Sequence, residues 1–185
     1  MPPRLRAARP GDAGAIAAIY APHVVAGTAS FELDAPDEAT MRERMAASAG
    51  SYPWIVATDD SDAAIGYAYA TRFSERAAYR WSVETTVYLA AAAQGRGIAG
   101  ALYAALLSTL TAQGFAQAIA RIALPNAASI ALHQRAGFTH AGDLRAVGWK
   151  AGMWIDVGYW QRALAFPGAA PDEPRRVTEL PPIEG

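Results

Sequence analysis

The strongest constraint on the fold of this chain is a change of period near its middle. From Tyr79 to about Leu89, polar and apolar residues alternate as in a strand with one buried face. Gln94-Gly95-Arg96-Gly97-Ile98-Ala99-Gly100 follows, and Ile98, Leu102, Leu106 and Leu110 then recur at helical spacing until Gly114. A strand that feeds a helix through a glycine-rich turn gathers unpaired backbone N–H groups and the positive end of the helix at one point. Such a point suits a phosphate. The glycines let the chain approach the anion closely at positive φ, and Arg96 adds a charge-assisted contact.

The same letters spell G-x-G-x-x-G, the fingerprint of dinucleotide-binding folds, but that fingerprint is followed about 20 residues later by an acidic residue for the ribose. Here no Asp or Glu occurs between Glu84 and Asp143. A P-loop fits still less, because no Lys-Ser/Thr pair follows the glycines. The acid-free stretch instead carries Arg96, Arg121 and Arg135, a local cradle for a polyphosphate in a chain whose net charge is only −1. That balance, 16 Lys+Arg against 17 Asp+Glu, lacks the basic footprint of a nucleic-acid binder. Without cysteine there is no disulfide and no thiolate nucleophile, and His23, His133 and His140 show no metal-ligand spacing, so no metal is expected. The N-terminal MPPRLRAARPGD has no apolar signal core and no apolar run reaches membrane-spanning length, which predicts a cytoplasmic protein with no membrane partner.

Around the central motif, Leu5–Ala8 reads as a strand and Asp12 caps a helix carrying Ile16, Ile19 and Tyr20. A second helix is expected after Asp34, with Pro36 in its first turn, Asp37 and Glu38 at its positive end, and Met41 and Met45 packed in the core. Trp54–Thr58 and Ile65–Phe73 read as a hairpin around Asp59-Asp60-Ser61-Asp62. After the central strand and helix come a strand at Ala116–Leu124, a helix at Asn126–Ala136, and strands at Phe138–Arg145 and Met153–Leu164. The expected order is strand, two helices, three strands, helix, strand, helix, two strands. Residues 1–165 form the domain in this reading, and 166–185, rich in proline and charge, an extended tail on the domain or on a partner.

These residues resemble the GNAT acetyltransferases: Gln94-Gly95-Arg96-Gly97-Ile98-Ala99 is similar to that family's Q/R-x-x-G-x-G/A pyrophosphate loop. More closely, Tyr79-Arg80-Trp81-Ser82-Val83-Glu84-Thr85-Thr86-Val87-Tyr88-Leu89, Leu124-Pro125-Asn126, Leu132-His133 and Gly148-Trp149-Lys150 are similar to phosphinothricin N-acetyltransferases, whose relatives also acetylate methionine sulfoximine, methionine sulfone or other small amines. The similarity runs from Leu5 to about Leu164. It implies an α/β acyl-CoA N-acyltransferase fold with a mixed, mostly antiparallel, splayed sheet flanked by helices. It also implies acetyl-CoA as cosubstrate and a two-fold homodimer.

Acetyl transfer to an amine needs a free lone pair, so a base must remove a proton from the ammonium. Strand alternation puts Ser82, Glu84, Thr86 and Tyr88 on one face and Trp81, Val83, Thr85, Val87 and Leu89 on the other, so Glu84 projects beside hydroxyl groups near the glycine loop. The resemblance implies that Glu84 is the general base, and that His133, at the place where many of these enzymes carry a tyrosine, acts as acid, second base or positioning group. It further implies coenzyme contacts at Gln94, Gly95, Arg96, Gly97, Ile98, Ala99, Gly100, Asn126 and Ser129, and backbone pairing of pantetheine with Val87, Tyr88 and Leu89. Arg72, Arg76 and Arg80 recur every fourth residue before the Glu84 strand, a candidate clamp for a carboxylate or oxyanion of the acceptor. The resemblance points to Phe31, Arg76, Tyr79, Tyr88 and Val157 as acceptor contacts, with Ser74 standing where some close relatives carry Lys. Two other readings remain open at this level: an acetyltransferase for another small amine or a protein amine, and a non-catalytic acetyl-CoA sensor.

Overall fold

A computed structural model describes residues 3–165 and 171–183 of the 185-residue chain. Eleven main elements follow the expected order: β1 (Arg4–Ala7), α1 (Ala13–Val25), α2 (Glu38–Ser48), β2 (Trp54–Thr58), β3 (Ala64–Arg72), β4 (Ser82–Leu89), α3 (Ile98–Gln113), β5 (Gln117–Leu124), α4 (Ala127–Arg135), β6 (Thr139–Lys150) and β7 (Met153–Ala163). The strands form one seven-stranded sheet in the order β1-β2-β3-β4-β5-β7-β6. Every neighbouring pair is antiparallel except β4 and β5, which are parallel because α3 carries the chain back between them.

Helices cover both faces. Ile16, Ile19 and Tyr20 of α1 and Met41 and Met45 of α2 pack on Val56 and Tyr67, which fulfils the apolar spacing of both helices. On the other face Leu102, Tyr103, Leu106 and Leu110 of α3 cover Ile55, Ala57, Ala68 and Ala70, four fully buried positions whose small or branched side chains admit the helix closely.

The sheet forks in the middle. β4 and β5 pair at Ser82/Gln117, Val83/Ala118 and Glu84/Ile119, where the described ladder ends, although β4 continues to Leu89 and β5 to Leu124. A cleft therefore opens directly after Glu84, one edge of which is the β4 backbone.

Three boundaries differ from the sequence reading by more than one residue. Asp37 caps α2, its side chain accepting from the Thr40 N–H at 2.8 Å, so Pro36 precedes the helix. Tyr79 closes a 3₁₀ turn at Ala77–Tyr79 and β4 begins only at Ser82. β6 runs past Arg145 to Lys150 because Arg145-Ala146-Val147 is a bulge and no turn: Ala146 has φ +46° and its N–H donates to Asp156 Oδ1 at 2.7 Å, and Gly148 resumes pairing with Ile155.

The expected start of the tail, residues 166–170, lies outside the described residues. Residues 171–183 lie against the domain: the Arg175 N–H donates to the Gln113 carbonyl at 2.7 Å, and the indole N–H of Trp81 donates to the Asp172 carbonyl at 2.9 Å.

Candidate active site

The glycine turn has the geometry an anion requires. Gly95 and Gly97 adopt φ of +72° and +78°, left-handed values that a side chain resists, and Gly97 is the N-cap of the 16-residue α3. A Cβ at Gly95, Gly97 or Gly100 would meet nothing within 4 Å, so the space before the helix is open. Behind the turn lies a cavity of about 640 Å³ lined by Val87, Tyr88, Leu89, Gln94, Gly97, Ile98, Ala99, Gly100, Asn126, Ser129 and His133. Gly95 and Arg96 stand exposed at the tip of the turn, outside this lining. Asn126 caps α4, its side-chain oxygen accepting from the Ser129 N–H at 3.1 Å.

Glu84 sits at the fork itself. Its side chain is 17 % exposed and both oxygens are held by one guanidinium: Arg121 Nε donates to Oε1 at 2.7 Å and Nη2 reaches Oε2 at 2.6 Å. Arg121 lies on β5 two residues beyond Ile119, the register partner of Glu84, and reaches back across the fork. It was expected among the phosphate-cradle arginines, and the ion pair with Glu84 claims it instead. No local pattern marks this partnership, because it depends on the register of two strands whose own patterns are independent. Glu84 and Arg121 line a second cavity of about 330 Å³ with Phe73, Ser74, Arg76, Tyr79 and Tyr159, and Arg121 also lines the first. The two cavities thus share Arg121 as a common wall.

His133 is 4 % exposed at the base of the larger cavity. Its Nδ1 lies 2.7 Å from the Ser129 carbonyl oxygen, which can only accept, so Nδ1 carries the proton and Nε2 accepts from the Tyr103 hydroxyl at 2.7 Å. Burial pushes the imidazole pKa below its ordinary value, against the opposing hydrogen bond to Ser129, so the ring is neutral near pH 7. Tyr103 is wholly buried and desolvation raises its pKa well above the usual phenol value. The sequence reading missed Tyr103, which looked like one more core residue of the α3 stripe.

The arginine series divides. Arg76 faces the smaller cavity with Tyr79, whereas Arg72 donates to Glu75 at 2.7 Å and Arg80 to Glu173 of the tail at 2.8 Å with its guanidinium stacked over Trp81. Four-residue spacing presumes a helix, and the segment is instead a strand end, a loop and a 3₁₀ turn, so the three do not converge. Phe31 lies over β6, its ring filling the space that a Cβ on Gly148 would need. Its loop is fixed by Lys150 Nζ, which donates to the carbonyls of Val24 at 2.7 Å and Ser30 at 2.6 Å. Tyr88 packs edge-on against Tyr20 and lines the larger cavity, while Val157 is buried on β7 opposite Ala123.

The sheet forks between two parallel strands, with a glycine turn at a helix N-terminus at one mouth and a carboxylate at the fork, the architecture of an acyl-CoA N-acyltransferase fold. The chain belongs to the GNAT acetyltransferases: the acetyltransferase (GNAT) domain model matches residues 5–158. It is 37 % identical over 179 residues to the phosphinothricin N-acetyltransferase of Streptomyces viridochromogenes, covering 97 % of each chain. It is also 34 % identical over 169 residues to an L-methionine sulfoximine/L-methionine sulfone acetyltransferase of Pseudomonas paraeruginosa, covering 90 % of this chain and 98 % of that one. The crystal structure of a GNAT superfamily phosphinothricin acetyltransferase from Sinorhizobium meliloti in complex with AcCoA superposes with a TM-score of 0.89 at 41 % identity, covering 94 % of this chain and 95 % of that one.

Proposed function

We propose that this enzyme transfers the acetyl group of acetyl-CoA to the α-amino group of a small anionic amino acid analogue of the phosphinothricin, methionine sulfoximine or methionine sulfone type. The observation that carries the reading is the placement of Glu84 at the fork, on the wall of a small cavity that also holds Arg76 and Arg121. Two guanidiniums and one carboxylate complement a zwitterion: its anionic group meets the arginines and its ammonium meets Glu84.

In this reading the larger cavity takes the coenzyme. The pyrophosphate lies on the turn at Gln94–Gly100, with Arg96 at its outer edge, and the pantetheine arm pairs with the free β4 edge at Val87, Tyr88 and Leu89 as an added strand beside Asn126 and Ser129. Acceptor contacts come from Arg76, Tyr79, Phe31 and the Tyr88 and Val157 region.

Glu84 takes one proton from the acceptor ammonium and passes it to solvent. The freed nitrogen lone pair attacks the thioester carbonyl, forming the N–C bond; the C–S bond breaks as the thiolate leaves and receives the second proton lost by the nitrogen. His133 acts through Tyr103, whose hydroxyl it orients from below the cavity, and both ring nitrogens of His133 are already committed. The chain works in the cytoplasm, where acetyl-CoA is drawn from metabolism. Among the described residues no helix is long and apolar enough to cross a membrane. It pairs with a second copy through the exposed apolar hairpin of β6 and β7.

Thiol release from acetyl-CoA with a panel of phosphinothricin, methionine sulfoximine, methionine sulfone, tyramine and spermidine tests the acceptor class. Anionic amino acids should be turned over. Because Ser74 supplies no cation, the sulfoximine or sulfone should match or exceed phosphinothricin in kcat/KM. If tyramine or spermidine outperforms every amino acid, the acceptor is a different small amine.

A further inference from the structure

The Glu84–Arg121 pair stands where the proposed chemistry needs a carboxylate with an oxygen to spare. Both oxygens that would take the ammonium proton are engaged as acceptors of Arg121, at 2.7 and 2.6 Å. The guanidinium is the more accessible partner, its side chain 53 % exposed where that of Glu84 is 17 %, and it borders both cavities. A planar two-pronged cation that grips one carboxylate is equally suited to grip another.

We propose that Arg121 determines acceptor specificity: it takes the carboxylate or oxyanion of the incoming acceptor in exchange for Glu84, and the exchange frees Glu84 to receive the ammonium proton. The inference rests on the reading of Glu84 as the base. One charge-assisted pair replaces another of the same kind, so the exchange itself costs little. The ammonium N–H bond then breaks, an O–H bond forms on Glu84, and the electron pair stays on nitrogen for attack on the thioester. A neutral amine brings no anion to displace Glu84, and a polyamine is repelled by Arg76 and Arg121 as well. Discrimination by charge is thereby built into the activation of the base and not only into binding.

The position of Arg121 supports a role beyond holding the sheet together. It lies past the last β4–β5 ladder pair, where it takes no part in holding β4 to β5 through the backbone, and its guanidinium borders the space that both cavities open into. The sequence series Arg72, Arg76 and Arg80 supplies only Arg76 to the cavity, and Arg121 provides the second cation that the series was expected to supply.

The test compares methionine sulfone with its carboxamide, which differs by the anion alone, in the full-length enzyme and in Arg121→Gln. The wild type should prefer the carboxylate, and Arg121→Gln should reduce that preference by tenfold or more in two ways: KM for the carboxylate acceptor rises, and kcat for the carboxamide rises because Glu84 is no longer held, with KM for acetyl-CoA and the melting temperature unchanged. Arg121→Lys, which keeps the charge without the fork, should recover part of the preference and guards against a glutamine variant that folds poorly. Equal loss on both acceptors would overturn the role of Arg121 while leaving the acetyltransferase reading intact. A wild type that favours the carboxamide, or acetylates neither, overturns the anionic-acceptor reading and the exchange together.

Discussion

Glu84 combines two properties at one residue: it is the last position at which β4 pairs with β5, and its side chain turns to the face away from α3. A strand held by ladder bonds up to that point fixes the carboxylate, and the unpaired stretch beyond it leaves room for two substrates to meet. Glu84→Gln keeps the shape and removes the base, so turnover should fall by roughly 10²–10⁴-fold while affinity for acetyl-CoA is unchanged. The remaining rate should climb with pH as the amine loses its proton unaided. Wild-type turnover in the variant at neutral pH would take Glu84 out of the mechanism. The candidacy of Glu84 was legible because strand alternation is a property of one segment. Its partner was not, since Arg121 meets it only through the register of a parallel pair whose strands are separated by the whole of α3. Tyr103 was hidden for a related reason: its spacing along α3 marks it as core, and only the packing of α4 shows that its hydroxyl meets His133.

Among the elements, the turn into α3 was the most legible, because glycine at a strand-to-helix junction has few other uses, and both Gly95 and Gly97 prove to need positive φ. The two glycines at the head of the helix separate strain from crowding. Gly97→Val forces a branched residue into a left-handed conformation, at a cost of about 1–2 kcal/mol, and also narrows the approach of the coenzyme. Gly100 lies in the first turn of the helix, where a side chain meets open space and causes no strain. Gly100→Val should therefore leave the melting temperature nearly unchanged yet weaken acetyl-CoA binding about tenfold or more, by blocking backbone approach to the pyrophosphate. Calorimetric titration with acetyl-CoA decides this, and unchanged affinity in both variants would reduce the loop to a plain turn. The sequence reading ends β6 at Arg145, and the bulge at Arg145-Ala146-Val147 that lets the strand continue is stabilised by Asp156 from the neighbouring strand, a contact with no local signature.

At the scale of the whole molecule, β6 is the edge of the sheet and yet presents apolar groups to solvent with its partner β7. Trp149 and Trp154 are register partners 58 % and 63 % exposed, their rings 5.3 Å apart, with Leu144, Val147 and Met153 exposed on the same hairpin. An edge strand of this kind invites association unless something covers it. A second copy seated on it would form a closed two-fold pair. The same hairpin supports the acceptor side: Phe31 rests on Gly148, next to Trp149, and Lys150 holds the loop that carries it. Pairing should therefore steady Phe31 as well as bury the tryptophans. Trp154→Glu is expected to yield a monomer in sedimentation, and to raise KM for the acceptor more than KM for acetyl-CoA, because α3 and α4 pack together on the face of the sheet opposite α1 and the loop that carries Phe31. A wild-type chain that sediments as a monomer at assay concentration contradicts the pairing. A monomeric variant with both Michaelis constants unchanged leaves the pairing standing and removes its link to the acceptor site.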